Sequence, residues 1–271
     1  MRKKILIVAK TYPTRSKKYT ELVCTAGVDR EGNWYRIYPI PTKTLQEYEG
    51  LKKYTWIDAE IKKDNSDPRP ESYKINISSV KLLNTIDTQD NWRYRKDILL
   101  KSKVYNNLEE IIHLANEYNE LSLCLFKASK FSHIYFETKE KEVLSEEEIR
   151  EYKNSNLNLF EHDSSCAVKF NAMPQLPYSI KMVFEDINGK ESKMNILDWE
   201  ISQLYWNLNR KNNEKETKVK IKAKLESLIE KDLYLCLGTM KMMQIRKSKN
   251  PFTIIGLFYP PKDIGYTPSL F

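Results

Sequence analysis

From Cys24 to Pro41 the chain reads CTAGVDREGNWYRIYPIP. Two β-like runs flank the polar spacer Asp29–Asn33, and Gly32 within it marks a hairpin connection. Trp34, Arg36 and Tyr38 follow at every second position, so a strand sets all three on one face. Rings beside an arginine can stack bases and pair phosphates. The same residues can equally be one side of a packed core.

Strand patterns surround this stretch. KILIVAK (4–10) reads as a strand, TYPTRSKKYT (11–20) as a basic loop, and ELVCTAGV (21–28) and WYRIYPI (34–40) as the next two strands. A short helical piece near Leu45–Leu51 precedes YTWIDAEIKK (54–63). There Thr55, Ile57, Ala59 and Ile61 alternate with Tyr54, Trp56, Asp58 and Glu60. After the loop DNSDPRPES (64–72), YKINISSVKLL (73–83) reads as a fifth strand. Five short strands with turn-rich connections predict a small barrel.

Helices are expected over 90–102 and over 107–119, where Leu108, Ile111, Ile112 and Ala115 share a face. LSLCLFKAS (121–129) and KFSHIYFE (130–137) return to strand patterning and are expected to close against the first set. SEEEIREYK (145–153) reads as a short helix capped by Ser145. Patterning collapses between Asn154 and Pro177, which marks a linker. Beyond it, 178–197 reads as a hairpin turning at Asn188–Gly189. Two helices follow: one starts near Asp198, and the other, from about Glu214 to Glu230, faces inward with Ile221, Leu225, Leu228 and Ile229. LYLCL (233–237 within DLYLCL) and FTIIGLF (252–258) are apolar on both faces, so they belong centrally in a sheet. They form a long C-terminal hairpin with the basic tip RKSKNP.

The chain of 271 residues carries 45 Lys and Arg against 37 Asp and Glu, a net charge of +8. The excess is local. The first twenty residues hold Arg2, Lys3, Lys4, Lys10, Arg15, Lys17 and Lys18 and no acid. MKMMQIRKSKN (240–250) carries Lys241, Arg246, Lys247 and Lys249, also without an acid. Localised cations point to phosphate-bearing partners. No apolar run approaches the ~20 residues that span a bilayer. The opening MRKKILIVAK lacks the cleavage site of a signal peptide and reads as a first strand, so a cytoplasmic setting without membrane partners is expected. Cys24, Cys124, Cys166 and Cys236 form no C-x-x-C pair, which argues against a zinc ribbon or a disulfide framework. His162 and Cys166 are four apart but have no second pair to complete a metal site.

The candidate nucleic-acid contacts are Lys10, Arg15, Lys17, Lys18 and Arg36 for phosphates, Trp34, Tyr38 and Trp56 for stacking, and the tip cations Arg246, Lys247 and Lys249. The enzymatic alternative centres on Asp186, Glu191 and Lys193, an acid–acid–lysine set of the kind that holds a divalent ion in nucleases. Asp186 lies only five residues from Glu191, across a tight turn. Asp198 and Glu200 flank Trp199 at a helix start, where the dipole favours carboxylates, and Asp198 fits an N-cap. Phosphate-cradling glycine loops, a nucleophile elbow and the zinc-deaminase pattern are missing from the sequence.

ILIVAK followed by CTAGVDREGNWYRIYP resembles the opening of bacterial proteins described as having dual OB-type domains. Cys24, Ala26, Gly27, Asp29, Gly32, Trp34 and Arg36 carry the likeness over about the first 40 residues. It departs where the proline close behind the arginine is delayed to Pro39. The resemblance implies a barrel and a nucleic-acid theme, compatible with genome defence or mobile-element biology, and no reaction.

The expectation is therefore an α+β protein. An OB-like barrel with helical insertions spans 1–153, a linker 154–177, and a mostly antiparallel sheet with two flanking helices 178–271. It would bind nucleic acid, with single-stranded DNA or RNA favoured. The alternatives are a nuclease or phosphodiesterase needing Mg2+, the one cofactor in view, and a protein-interaction module using the exposed aromatics and the tail IGYTPSLF.

Overall fold

The structure, a computed structural model, describes residues 1–15, 21–41, 51–139 and 174–262. Lys17, Lys18, most of the 45–51 piece, the 145–153 helix, His162, Cys166, residues 154–173 of the linker and the tail from Ile264 lie outside the described residues.

The first part is built from β1 (Arg2–Lys10), β2 (Thr14–Arg15), β3 (Glu21–Val28), β4 (Trp34–Pro41), β5 (Thr55–Lys63), β6 (Ser72–Ile75) and β7 (Lys81–Thr85). Pairing runs β1-β3-β4-β6-β5, and β5 returns to β1, which closes a five-stranded barrel. The β4–β6 pair is parallel and the other pairs are antiparallel, an OB-like arrangement. The β3–β4 turn is held by Asp29. Its carboxylate accepts from the Glu31 and Asn33 amides, the Asn33 side chain and the Tyr35 hydroxyl. Gly32 adopts φ +87° there, a conformation other residues reach only with strain.

Alternation sorts the barrel strands as their pattern predicts. Ile5, Ile7, Val23, Tyr35, Ile37, Ile57, Ala59 and Ile61 fill the interior. Leu6, Val8, Ala26, Val28 and Trp56 point outward, yet they are buried too. An outward row that is both apolar and buried requires a second layer.

That layer begins early. α1 (Gln89–Leu99) leads to β8 (Val104–Tyr105), α2 (Leu108–Asn116), β9 (Leu123–Phe126) and β10 (Lys130–Thr138). After the linker come β11 (Tyr178–Glu185), β12 (Glu191–Asn195), α3 (Trp199–Asn209), α4 (Glu214–Ile229), β13 (Tyr234–Thr239), α5 (Lys241–Ile245) and β14 (Phe252–Phe258). Strands 123–126 and 130–138 do not close the barrel: β9 pairs with β13, and β10 with β11. The sheets are β14-β13-β9-β8 and β10-β11-β12. The change of layer thus falls near residue 100 rather than at 153. Local strand patterning carries no information about which partner a strand will choose.

One core of the second part gathers Ile111 and Ala115 of α2, Phe126, Phe184, Ile221 and Leu225 of α4, Leu235, Leu237 and Ile254. The opposite face of the same strands, Leu123, Leu125, Cys236 and Ile255, packs on the barrel's outward row. β9, β13 and β14 are apolar on both faces because helices cover one side and the barrel the other. β14 lies at the end of its sheet, not in the middle as its composition suggests. Contact with β1 and a bridge from Ile196 to Ile254 cover it. Gly256 permits the approach, since a Cβ there would lie 2.7 Å from the Ala9 Cβ.

Candidate nucleic-acid interface

The question raised by Trp34, Arg36 and Tyr38 resolves through burial. Arg36 is 2% exposed. Its guanidinium donates to the Ser122 carbonyl at 2.8 Å, to the Ser122 hydroxyl at 3.3 Å and toward Cys24 Sγ at 3.3 Å. Ser122 in turn donates to Glu71 through both its amide and its hydroxyl. The arginine is thus a buried tie between barrel and second part, where it cannot meet a phosphate. Trp56 is 6% exposed, with the Arg30 guanidinium 5.9 Å from its ring centre. Trp34 is half-buried against the same inter-layer cluster. Tyr38 belongs to β4, and its side chain lies outside what is described. The expected open face of rings and arginine is, for Trp56 and Arg36, a closed one. An alternating strand pattern cannot distinguish solvent from a second layer.

Described residues of both connections that flank this face are engaged as well. Between β1 and β3, the Tyr12 amide donates to the Leu197 carbonyl and its hydroxyl to Pro174, both at 2.8 Å. Between β5 and β6, Arg69 pairs with Asp67 at 2.6 Å and donates to the Thr239 carbonyl at 2.7 Å. Asn119 donates to Pro68, and Lys241 to Ser66, each at 2.7 Å.

Lys10 is 8% exposed, with its ammonium 5.3 Å from the centre of the Trp199 ring. Burial pulls it down to about 8, against the raising influence of Glu200 and Asp198. Nearby, Lys53 donates to the Leu257 carbonyl at 2.7 Å and lies 3.6 Å from Asp198 and 3.5 Å from Glu200. Asp198 also accepts from the Glu200 and Ile201 amides, so the N-cap expected from its position is present. Its buried pairing with Lys53, from the other layer, left no local signal in the sequence. Arg15 is in β2, and its side chain is not described.

The acidic alternative separates into structural parts. Asp186 is 1% exposed, and its carboxylate accepts from the amides of Leu108, Asn188 and Lys190 at 2.9 Å each. Burial works against its charge, but these amides outweigh it and hold the carboxyl below its ordinary value. Glu191 is exposed at the start of β12. Lys193 lies 3.8 Å from Glu137 and over the Tyr135 ring. Among the described residues no group of three His, Cys, Asp or Glu side chains is placed to hold a metal ion.

The tip cations are placed differently. Arg246, Lys247 and Lys249 are all exposed on the connection between β13 and β14, Lys247 sharing an ion pair with Glu117 at 2.9 Å. Gln244 anchors this connection. It is buried, donates to the Ala115 carbonyl at 2.9 Å and to Asn119 at 3.0 Å, and accepts from Thr239 at 2.6 Å. Asn116 holds the Ser248 carbonyl at 2.9 Å. Sequence reading singled out the cations here and missed the glutamine that holds them outward.

The molecule is therefore an OB-like barrel whose outward face is covered by an α+β partner layer of the same chain. The chain belongs to the family described as domain of unknown function DUF8757, whose model matches residues 105–271. Residues 1–101 match a second model, domain of unknown function DUF8758, so the family division coincides with the change of layer. No curated protein matches the chain. No helix among the described residues is long and apolar enough to cross a membrane.

Proposed function

We propose that this protein binds nucleic acid, and that it does so through the basic connection between β13 and β14 rather than through the outward face of the barrel. One observation carries the reading. Residues 240–250 contain four cations and no acid, and Arg246, Lys247 and Lys249 stand in solvent on a segment pinned from beneath by Gln244. Cations on a preorganised turn meet phosphates with little ordering cost. The acid-free residues 11–20 add further positive charge between β1 and β3 in the sequence. Single strands of DNA or RNA are the favoured ligand, and a bacterial cytoplasmic setting in defence or mobile-element biology goes with the likeness of the opening residues. A metal-dependent nuclease gains no support, because the Asp186 carboxylate is occupied by three backbone amides.

The test is fluorescence anisotropy with labelled single-stranded DNA, RNA and duplex across a salt series. Affinity should fall steeply with salt. Arg246→Glu/Lys247→Glu/Lys249→Glu should weaken binding at least tenfold and flatten the log–log salt slope by about 2, at roughly 0.7 per lost single-strand phosphate contact. Unchanged binding by this variant would refute the site. A wild-type protein that binds no probe at low salt would refute the function.

A further inference from the structure

The basic connection also presents apolar groups that phosphate binding leaves unexplained. Met240 is 46% exposed, Met242 54%, Met243 39% and Ile245 52%, and nearby Tyr118 is 60% exposed. Among the described residues these are most of the large exposed apolar side chains of the second part, and four of them fall within six consecutive residues.

Their exposure is built in. The buried Gln244 fixes α5 from below, so its neighbours on either side are turned outward. The Ser248 amide donates to Met243 and the Lys247 amide to Gln244, both at 2.9 Å, and Lys247 adopts φ 50° to close the turn. The ridge is thus held in shape without a core of its own. A contiguous apolar ridge kept in water is costly unless something covers it. Methionine and isoleucine are among the side chains that wedge between base steps at the cost of unstacking them, a cost that is least where bases are already unpaired, and the thioether makes favourable contacts with aromatic rings. Arg246, Lys247 and Lys249 follow the ridge within four residues and stand exposed, Lys247 beside Glu117, supplying the charge that a phosphate chain requires.

Building on the proposed nucleic-acid function, we infer that the ridge Met242–Ile245 is a wedge that packs against unpaired bases, so that the connection recognises single-stranded or locally unpaired nucleic acid over perfect duplex. The cations hold the backbone, and the apolar side chains replace the stacking neighbours that an unpaired base lacks.

The experiment uses the full chain with four labelled probes: oligo(dT), oligo(U), a perfect duplex, and the same duplex carrying an unpaired adenine bulge replaced by 2-aminopurine. Met242→Ser/Ile245→Ser is compared with wild type and with the triple charge variant. Both apolar residues are exposed, so an unchanged melting temperature should confirm that the serine variant is folded. The inference expects that variant to lose on the order of tenfold affinity for the oligo(dT), oligo(U) and bulged probes. It should keep wild-type affinity for perfect duplex and an unchanged salt slope, and it should lose the 2-aminopurine fluorescence change seen with wild type. Equal affinities of wild type and serine variant for every probe would overturn the wedge while leaving the phosphate contacts standing. Equal loss on all probes, duplex included, would overturn the preference for unpaired bases. Absence of binding by wild type to any probe would overturn the underlying function, and the wedge with it. The DNA and RNA arms identify which backbone is preferred.

Discussion

Arg36 and Ser122 lie 86 residues apart in sequence, yet the guanidinium of one donates to the carbonyl of the other at 2.8 Å inside the protein. Both terminal nitrogens of this deep charge find acceptors, one from each layer, while its Nε has none. Arg36→Ala leaves the buried Ser122 carbonyl without its side-chain donor and removes the positive charge near Glu71, and should cost on the order of 3 kcal/mol in urea unfolding. A variant that remained at wild-type stability and lost nucleic-acid binding would place Arg36 at the ligand instead.

Lys53 and Asp198 join the layers at a second point, 3.6 Å apart and both nearly inaccessible. Asn substitutes well as an N-cap, so Asp198→Asn isolates the charge pair from the cap. It should destabilise by about 2–3 kcal/mol. In a double-mutant cycle with Lys53→Met the coupling should be on the order of 1–3 kcal/mol. Additive thermal unfolding data would mean that the two charges do not act on one another.

Acid should loosen the β5–β6 loop. Asp67 is held down to about 2 from an ordinary 3.8: burial opposes its charge, but the Arg69 fork more than offsets this. A depressed carboxyl contributes stability that is complete above about pH 4 and lost as pH falls toward 2. The contribution is on the order of 2 kcal/mol, and Asp67→Asn should remove most of the slope of stability against pH in that window. An acid limb unchanged by Asp67→Asn would contradict this.

Lys10 gives a slope of the same sign on the alkaline side, from a charge that burial disfavours. Burial lowers it from 10.5 to about 8, so between those values the unfolded chain binds the proton that the folded chain has released. Stability should therefore rise between pH 8 and 10.5, by on the order of 1–3 kcal/mol, and Lys10→Met should both flatten that rise and stabilise the protein near neutrality. Trp199, 5.3 Å from the ammonium, offers a fluorescence reading of the titration. A fluorescence midpoint at 10 or above would show that burial is not felt.

How far the sequence could be read depended on the range of the interaction. The Asp29 turn, the Asp198 cap, the Asn188–Gly189 turn and the inward face of α4 are all set by residues a few positions apart, and each is legible. The strands β1, β3, β4 and β5 are legible for the same reason, whereas 73–83, which reads as one strand, is divided by a turn at Ile77–Ser79 into β6 and β7. What could not be read is partnership. Nothing in LSLCL says that it pairs with YLCLG rather than with the barrel, although its unbroken apolar character hints at cover on both sides. For the same reason Arg36 and Trp56 read as a binding face: alternation shows that two faces exist and is silent about what lies against each. The candidate site was half visible. Lys247 and its neighbours stand out by charge, whereas Gln244 depends on a carbonyl at Ala115, 129 residues away.

The covering of the barrel by β9, β13 and β14 has a consequence during synthesis. The barrel strands leave the ribosome before the strands that cover them, with Leu6, Val8, Ala26 and Trp56 on their outer side, and β14 follows all of them in the chain. At about 5–20 residues per second, a newly made barrel waits roughly ten to thirty seconds for its cover. For that interval its outward apolar row is without the strands that bury it, which makes the uncovered barrel prone to association.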